Sequence, residues 1–230
     1  MRLRIAHLYP GDMSLYGDRG NVVVLAKRLA WRGHAVDVLP IEPGVRTDLR
    51  RADIVVGGGG SDAAQRLVAP DLLERREQVL EAVADGVPML LVCGMFQLFG
   101  TCYVPADGRE LPGVGVFDAV STASSPRING PVTVRTATGT VTGYENHSGV
   151  TRLGPAQAPF GTVMAGVGNG AGAEVDGAVT GNAIGTYLHG PVLAANPDLA
   201  DHLLAAALRR LDPLARLTPL THAAERHAQL

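Results

Sequence analysis

Cys93 is the residue whose position in this sequence most clearly favours chemistry. It follows the apolar run Met89–Val92, a predicted buried strand, and precedes Gly94 and a predicted helix through Gln97 and Leu98. A sharp strand-to-helix turn exposes a nucleophile, and the nearby helix N-terminus favours a thiolate over a thiol. A buried structural cysteine is the commoner fate of this residue type. The carboxyl end of a parallel strand, where α/β folds bind ligands, favours the catalytic interpretation.

A thiolate needs a base, and His189 is the best placed of the seven histidines. It ends the apolar stretch Ala183–Leu188, so a second strand could deliver it to the same sheet edge as Cys93. His147, in a turn-rich segment, is the alternative base. His7 fits a packed core position in the first strand. Surface positions are expected for the remaining histidines, His34, His202, His222 and His227.

A run of four glycines, Gly57–Gly60, follows the predicted strand Asp53–Val56. A glycine run by itself indicates only a turn. Beside a strand-to-helix elbow, the N–H groups of Gly58 and Gly59 could stabilise the oxyanion formed when a thiolate attacks a carbonyl. Gly94 would be the complementary donor. The run is not a P-loop, because the sequence contains no G-x-x-x-x-G-K-[ST] motif.

The elements that would position these residues alternate between strands and helices in the first hundred residues. Strands are predicted at Leu3–Tyr9, Ala35–Ile41, Asp53–Val56 and Met89–Val92, and helices at Asn21–Arg32 and Leu72–Ala84. Buried strands separated by helices predict a parallel sheet that is covered on both faces.

The chain changes character between about Pro112 and Asp176, where Thr, Val, Gly and turn residues dominate. Here we expect short antiparallel strands and loops added to the sheet. Ala183–Leu188 is then a further buried strand. Leu193–Leu211 is a predicted helix, which could begin near Asp198.

Length and composition agree with one folded domain. Of 230 residues, 46% are hydrophobic and 4% aromatic, which excludes a disordered protein. The formal charge is −2 and the sequence contains no basic stripe, so nothing in it indicates nucleic acid as a partner. The two cysteines, Cys93 and Cys102, form neither a CxxC metal pair nor a disulfide framework. We expect a single domain over residues 1–212 and a loosely held tail over 213–230.

Apolar runs in this sequence are too short to span a bilayer. The first one ends at a Pro-Gly turn and lacks a small-residue cleavage site, so it predicts a strand and not a signal peptide. We therefore expect a cytoplasmic protein without membrane insertion.

Three segments, in order, resemble class I glutamine amidotransferases. The glycine run, the strand-Cys elbow and the late strand-His occur in that family's order. Cys93–Gly100 is similar to the Cys-Gly-x-aromatic-Gln pattern of the cobyric acid synthase-like branch, and Gly143–His147 to its Gly-Tyr-Glu-x-His segment. Tyr16–Asn21 narrows the resemblance to the glutaminase subunits of lipid II isoglutaminyl synthases. The resemblance covers nearly the whole chain except the C-terminal tail.

This resemblance implies a flavodoxin-like fold, with a mostly parallel sheet flanked by helices and a short antiparallel β insert. It also implies that Cys93 attacks the side-chain amide of L-glutamine, that ammonia leaves, and that water cleaves the resulting thioester with His189 as base. Arg127 would hold the glutamine α-carboxylate, since arginine binds carboxylates bidentately. A solvated loop arginine is the open alternative. Neither a cofactor nor a metal is implied for this chain.

The resemblance further implies a heterodimer with a MurT-type, Mur-ligase-like subunit. That partner would use ATP and Mg²⁺ and the released ammonia to amidate the D-glutamate α-carboxyl of lipid II. Three alternatives stay open. They are a glutaminase subunit of a cobyrinate-type or other small-molecule amidating system, a cysteine hydrolase unrelated to glutamine, and a non-catalytic amidotransferase-like binding module.

The sequence departs from the family at the residue that orients the catalytic histidine. Most class I amidotransferases have an acid two positions after that histidine, and here Pro191 occupies the position. Either the site works as a Cys–His dyad or another carboxylate orients His189. Glu145 is the candidate within the chain. The resemblance implies a carboxylate from the partner ligase, and we expect the partner to supply it.

Overall fold

A computed structural model describes residues 1–220 of the chain, which form two sheets with helices around the first. Six strands make up the first sheet: β1 (Arg2–Leu8), β2 (Ala35–Ile41), β3 (Ile54–Gly57), β4 (Met89–Val92), β11 (Ala178–Thr180) and β12 (Ala183–Thr186). Their spatial order is β11-β12-β4-β3-β1-β2. Neighbours are parallel, except that β11 pairs antiparallel with β12. This is the predicted α/β architecture.

The chain order reverses at β1, which has β2 on one side and β3 on the other. In open α/β sheets such a reversal leaves a crevice beyond the carboxyl ends of the strands, where ligands bind. The loops that follow β1 and β3 leave the sheet on the two sides of this crevice. The fold therefore defines the place of a site before any side chain is considered.

Helices follow most of these strands. Their bounds are α1 (Arg19–Ala30), α2 (Asp62–Glu74), α3 (Arg76–Ala84), α4 (Gly94–Phe99), α5 (Val192–Ala195) and α6 (Pro197–Leu211), with a 3₁₀ turn at Leu49–Arg51. Helix α6 packs against α1, where the buried Arg28 guanidinium donates two hydrogen bonds to Asp201, at 2.8 and 2.9 Å. This bidentate ion pair fixes the last helix on the first one.

The predicted bounds Ala35–Ile41 and Met89–Val92 are confirmed. Helix α2, however, is missing from the prediction, which began a helix only at Leu72. The side chain of Ser61 caps α2 by accepting a hydrogen bond from the Ala64 N–H at 3.2 Å. Pro70 within the helix obscures its continuity, since proline usually interrupts helices.

The second sheet contains seven strands, five of them in the order β10-β9-β7-β5-β6. Strand β8 pairs with β7, and β13 pairs with β8. Their bounds are β5 (Cys102–Val104), β6 (Leu111–Pro112), β7 (Ala119–Thr136), β8 (Gly139–Leu153), β9 (Gly161–Ala165), β10 (Val175–Asp176) and β13 (Leu188–His189).

The prediction of short strands in this region is wrong for β7 and β8, which have 18 and 15 residues. The residues between Ala123 and Ile128 include Ser and Pro, which are common in turns. Instead they form an irregularity in the register, and the same two strands continue beyond it. The long hairpin of β7 and β8 belongs to the second sheet and does not extend the first one.

The two sheets meet where β12 runs through Tyr187 into β13. Within β13, Leu188 pairs with Glu145 and His189 with Tyr144 of β8. His189 therefore lies at the junction of the two sheets, above the carboxyl end of β12.

Part of the predicted tail is held by the domain. Ala215 and Leu217 pack against the core, and the Arg32 Nε–H donates to the Thr218 carbonyl at 2.6 Å. The rest of that segment, with His222 and His227, lies outside the described residues. Every helix within residues 1–220 is too short or too polar to cross a bilayer.

Candidate active site

Cys93 forms the turn between β4 and α4 with backbone angles φ 52° and ψ −107°. A positive φ is uncommon for a residue with a side chain, and it is the strained geometry of a nucleophile elbow. Backbone bonds support the strain: the Cys93 N–H donates to the Thr186 carbonyl at 2.8 Å, and the Gln97 N–H donates to the Cys93 carbonyl at 3.0 Å. Strand β12 and helix α4 thus hold the backbone of the cysteine from two sides.

His189 reaches the same sheet edge from β13 and is 2% exposed. Its Nδ1 lies 3.1 Å from each carboxylate oxygen of Asp18, which is fully buried. A carboxylate only accepts hydrogen bonds, so Nδ1 carries the proton and donates it. This arrangement leaves Nε2 as the nitrogen that can exchange a proton with a substrate or a nucleophile.

Cys93 and His189 meet over Gly59. A Cβ atom on Gly59 would lie 2.7 Å from His189 Cε1 and 3.3 Å from Cys93 Cβ, so both side chains pack on the bare α-carbon of this glycine. His189 Nε2 is buried and has no hydrogen-bond partner within residues 1–220. The geometry brings together the predicted nucleophile and the predicted base.

The pKa of His189 reflects this environment. Burial acts to lower it, but the hydrogen bond to Asp18 and the charge interactions with Cys93 and Asp18 outweigh burial and raise the pKa well above the usual value. The imidazolium is therefore the favoured form between a carboxylate and a sulfur that can carry negative charge.

Asp18, and not Glu145, is the carboxylate that lies beside Nδ1 of His189 within residues 1–220. The expectation that the partner supplies an orienting carboxylate stays a prediction. Both oxygens of Glu145 accept backbone N–H groups instead, from Val167 at 2.9 Å and Gly168 at 2.8 Å. Glu145 supports the loop after β9, while an aspartate from the loop after β1 orients His189.

The rule that selected Cys93 and His189, namely that parallel strands end at one edge of the sheet, also applies to Asp18. It follows β1, the first parallel strand, so its loop leaves the same edge of the sheet. Nine residues separate Asp18 from the end of β1, however, and the sequence of such a loop has no periodicity from which its path could be predicted. The segment Tyr16–Asn21 contributed to the family resemblance, but no role was predicted for its aspartate, Asp18.

The glycine run Gly57–Gly60 mainly leaves space for neighbouring side chains and offers few free N–H donors. The Gly59 N–H donates to Asp18 Oδ2 at 2.8 Å, so it is not free for an oxyanion in this state. A Cβ on Gly58 would lie 2.5 Å from the Met13 carbonyl oxygen and 2.7 Å from Asp18 Cβ. The predicted oxyanion role of Gly59 is thus replaced by its bond to Asp18, while that of Gly58, which packs against Met13 and Asp18, stays a prediction. Gly94 stays a predicted donor, and the nitrogen of Gly60 lies 3.2 Å from the position of a Cβ on Gly94.

A cavity of about 540 Å³ opens beside the nucleophile. Its wall combines polar side chains with two arginines, Arg66 and Arg127. The residues most relevant to a ligand are Tyr16, Gln65, Cys93, Gln97, Arg127 and His147. This volume suits a small polar molecule such as an amino acid.

Arg127 reaches the cavity from the irregular part of β7 and is tied to its neighbours. It donates to the side chain and the carbonyl of Asn146, to Ser148 Oγ at 3.3 Å and to the Tyr16 hydroxyl at 2.8 Å. Arg127 is exposed to solvent, yet these bonds hold its guanidinium at the cavity wall, and its role in binding the α-carboxylate stays a prediction.

His147, the alternative base, has a different environment. Its ring stacks on Tyr187 at a centroid distance of 3.7 Å, and its Nδ1 lies 2.7 Å from the Gly149 carbonyl. Burial lowers its pKa to about 4. A neutral ring that is held by a carbonyl, without an orienting carboxylate on Nδ1, fits a cavity wall better than a general base. Within residues 1–220 no cluster of three or more His, Cys, Asp or Glu side chains could hold a metal.

A strained cysteine, an imidazole and a buried carboxylate at the carboxyl edge of a flavodoxin-like sheet are the arrangement typical of triad-type, thiol-dependent enzymes. The model of the CobB/CobQ-like glutamine amidotransferase domain matches residues 4–197, and the chain belongs to this family. The resemblance stated from the sequence is confirmed.

Similar proteins narrow the family further. The chain is 36% identical to a protein of Staphylococcus aureus named lipid II isoglutaminyl synthase (glutamine-hydrolyzing) subunit GatD, over 90% of this chain and 85% of that protein. Its identity to the subunit of the same name in Streptococcus pneumoniae is 34%, over 91% and 82%. Cobyric acid synthase of Pelotomaculum thermopropionicum is 32% identical, but the match covers 76% of this chain and only 37% of that longer protein.

Solved structures agree on the fold. A glutamine amidotransferase crystal structure has a TM-score of 0.60 at 16% identity, covering 88% of this chain and 98% of that one. The glutaminase domain of Trypanosoma brucei CTPS, solved with bound acivicin, has a TM-score of 0.54 at 12% identity, covering 90% and 94%. At these identities the similarity establishes the architecture alone.

Proposed function

We propose that this chain is the glutaminase subunit of a lipid II isoglutaminyl synthase. The observation that carries the proposal is the convergence of Cys93, His189 and Asp18 at the carboxyl edge of the sheet, beside a cavity with a held arginine. Similarity to two subunits of that name over nine-tenths of the chain supports the choice within the family.

The first half of the reaction breaks the amide bond of glutamine. The proton of the Cys93 thiol already lies on His189 Nε2 in the thiolate–imidazolium pair, and the thiolate Sγ attacks the side-chain carbonyl carbon. The imidazolium is stabilised by Asp18, and the N–H groups near Gly60 and Gly94 stabilise the oxyanion. When the tetrahedral intermediate collapses, the C–N bond breaks and His189 returns the proton to the leaving nitrogen. Ammonia departs and a glutamyl thioester remains on Cys93.

The second half restores the enzyme. His189 Nε2 takes a proton from water, and the resulting hydroxide adds to the thioester carbonyl. The C–S bond then breaks, which restores the thiolate beside the His189 imidazolium, and L-glutamate leaves after its new carboxyl group gives its proton to solvent. The same imidazole serves as acid and base because Asp18 holds it in one orientation throughout.

The ammonia is passed to a MurT-type, Mur-ligase-like partner in a heterodimer. That partner binds ATP and Mg²⁺, activates the D-glutamate α-carboxyl of lipid II and amidates it to D-isoglutamine in the cytoplasm. The word "subunit" in the names of both similar proteins supports a design in which a second chain completes the synthase.

Reconstitution with the partner ligase, ATP, Mg²⁺ and lipid II tests the proposal. With L-glutamine as nitrogen source, we expect amidated lipid II from the wild-type pair and none from a pair carrying Cys93→Ser. Added ammonium should restore amidation to the variant pair, since only the glutaminase step is lost. Wild-type ammonia release without lipid II amidation would overturn the acceptor but retain the glutaminase. In that case the cobyrinate-type alternative, supported by the similarity to cobyric acid synthase, is tested next.

A further inference from the structure

The loop between β1 and α1 brings a second residue, Tyr16, to the catalytic histidine. Its ring lies against His189 with a centroid distance of 4.7 Å and an interplanar angle of 58°. A Cβ on Gly59 would lie 3.3 Å from Tyr16 Cδ2, the same distance as from Cys93 Cβ. Tyr16 therefore packs in the corner where nucleophile and base meet, and it lines the cavity.

The hydroxyl of Tyr16 faces away from His189 toward the arginine at the cavity wall. It accepts a hydrogen bond from Arg127 Nη2 at 2.8 Å. One tyrosine ring thus extends from the base to the cation, and Arg127 is the residue expected to hold the glutamine α-carboxylate.

Arg127 has few donors left for that carboxylate. A guanidinium carries five N–H groups. Nε–H is used by the Asn146 side chain, both Nη2 hydrogens by Tyr16 and the Asn146 carbonyl, and one Nη1 hydrogen by Ser148. One Nη1 hydrogen remains. The bidentate grip predicted for this arginine is therefore unavailable in the conformation described.

The Tyr16 hydroxyl can supply the second donor. Because it accepts from Arg127, its own proton is directed elsewhere, and within residues 1–220 no acceptor for it is present. Accepting a bond from a cation also polarises a hydroxyl and makes it a better donor to an anion.

We propose that Tyr16 is a glutamine-binding residue whose O–H donates to the substrate α-carboxylate beside the free Nη1–H of Arg127. This inference rests on the proposed glutaminase function. The neutral Tyr16 hydroxyl and the cationic Arg127 guanidinium would thus bind the carboxylate together. The tyrosine ring sets the distance between the carboxylate end of the substrate and His189. Tyr16 thereby contributes to selecting free glutamine over analogues that lack the α-carboxylate.

A Tyr16→Phe variant tests the proposal because it keeps the ring and removes only the hydroxyl. We expect the KM for L-glutamine to rise about tenfold or more, as for loss of a hydrogen bond to a charged group, with kcat within about twofold. For glutamine α-carboxamide, in which a neutral amide replaces the α-carboxylate, kcat/KM should change little. Tyr144→Phe, which removes the hydroxyl of an exposed tyrosine outside the cavity, is the matched control.

Two outcomes would overturn the role of Tyr16 while the wild type still releases ammonia. An unchanged KM for glutamine would show that its hydroxyl does not bind substrate. An equal loss on glutamine and its α-carboxamide would show a merely structural effect. Absence of ammonia release from the wild type with its partner would instead reject the proposed function, and this inference with it.

Discussion

Both carboxylate oxygens of Asp18 lie 3.1 Å from Nδ1 of His189, although 171 positions separate the two residues in sequence. The contact is fully enclosed by protein. It assigns the orienting carboxylate to the chain itself, where the usual position, two residues after the histidine, is occupied by Pro191. The carboxylate beside the histidine is therefore present without a partner subunit.

Replacing Asp18 with Asn should slow glutamine hydrolysis by about 10²-fold, mainly in kcat, because the amide no longer selects the productive histidine tautomer. Ammonia release by the chain with and without its partner measures the effect. Asp12→Asn, in the same loop, is the matched control. If Asp18→Asn had wild-type kcat in the complex, a carboxylate from the partner would be doing the orienting.

The same variant should move the pH profile. Asp18 helps to raise the pKa of His189, so its removal lowers that pKa, and the imidazolium is lost at lower pH. Because the imidazolium donates the proton to the leaving ammonia, the alkaline limb of kcat should shift to lower pH. Steady-state rates measured across the pH range report the coupled Cys93–His189 pair. An unshifted alkaline limb would contradict this assignment.

Gly59→Ala should reduce glutaminase activity by about 10²-fold or more while the domain remains folded. The new methyl group would stand 2.7 Å from His189 Cε1, so nucleophile and base must separate, and small misplacements are costly in catalysis. Gly130→Ala is the control, since a Cβ there meets nothing within 4 Å. Circular dichroism checks the fold. Full activity in Gly59→Ala would refute the close packing of the pair.

His7 should make stability depend on pH. It is 4% exposed in β1, and burial together with the charge of Arg19 lowers its pKa to about 4. The unfolded chain, with an ordinary pKa near 6.5, then binds more protons below that pH, so folding stability falls as pH falls from about 6.5 toward 4.

Denaturant unfolding of wild type and His7→Gln at pH 7 and pH 5 measures this dependence. Relative to the variant, the wild type should lose up to about 2 kcal/mol over that interval. A stability difference that is constant with pH would show that His7 titrates normally in the folded state.

The sequence predicts the parts of this molecule that depend on local pattern. Apolar runs identified β2 and β4, and the strand-to-helix change identified Cys93. His189 followed from the rule that parallel strands present their carboxyl ends at one edge. Helix α2 was missed because Pro70 interrupts its pattern.

The remaining features depend on long-range geometry. Asp18 returns to the sheet edge through a loop without periodicity. The Gly59 N–H donates to the Asp18 carboxylate and is therefore not free for an oxyanion, and the sequence does not reveal this contact. Arg127 shares its hydrogen bonds with Tyr16 and Asn146, and only coordinates show how few donors remain for substrate.

The rate of ammonia release from L-glutamine, measured for the wild type and for Cys93→Ala together with the proposed ligase partner, tests directly whether Cys93 is the nucleophile. We predict steady release with equimolar L-glutamate by the wild type. The variant should release ammonia only at the background rate, because the thioester cannot form without Sγ. Continued release by Cys93→Ala at a rate close to wild type would contradict the central claim that this cysteine is the nucleophile.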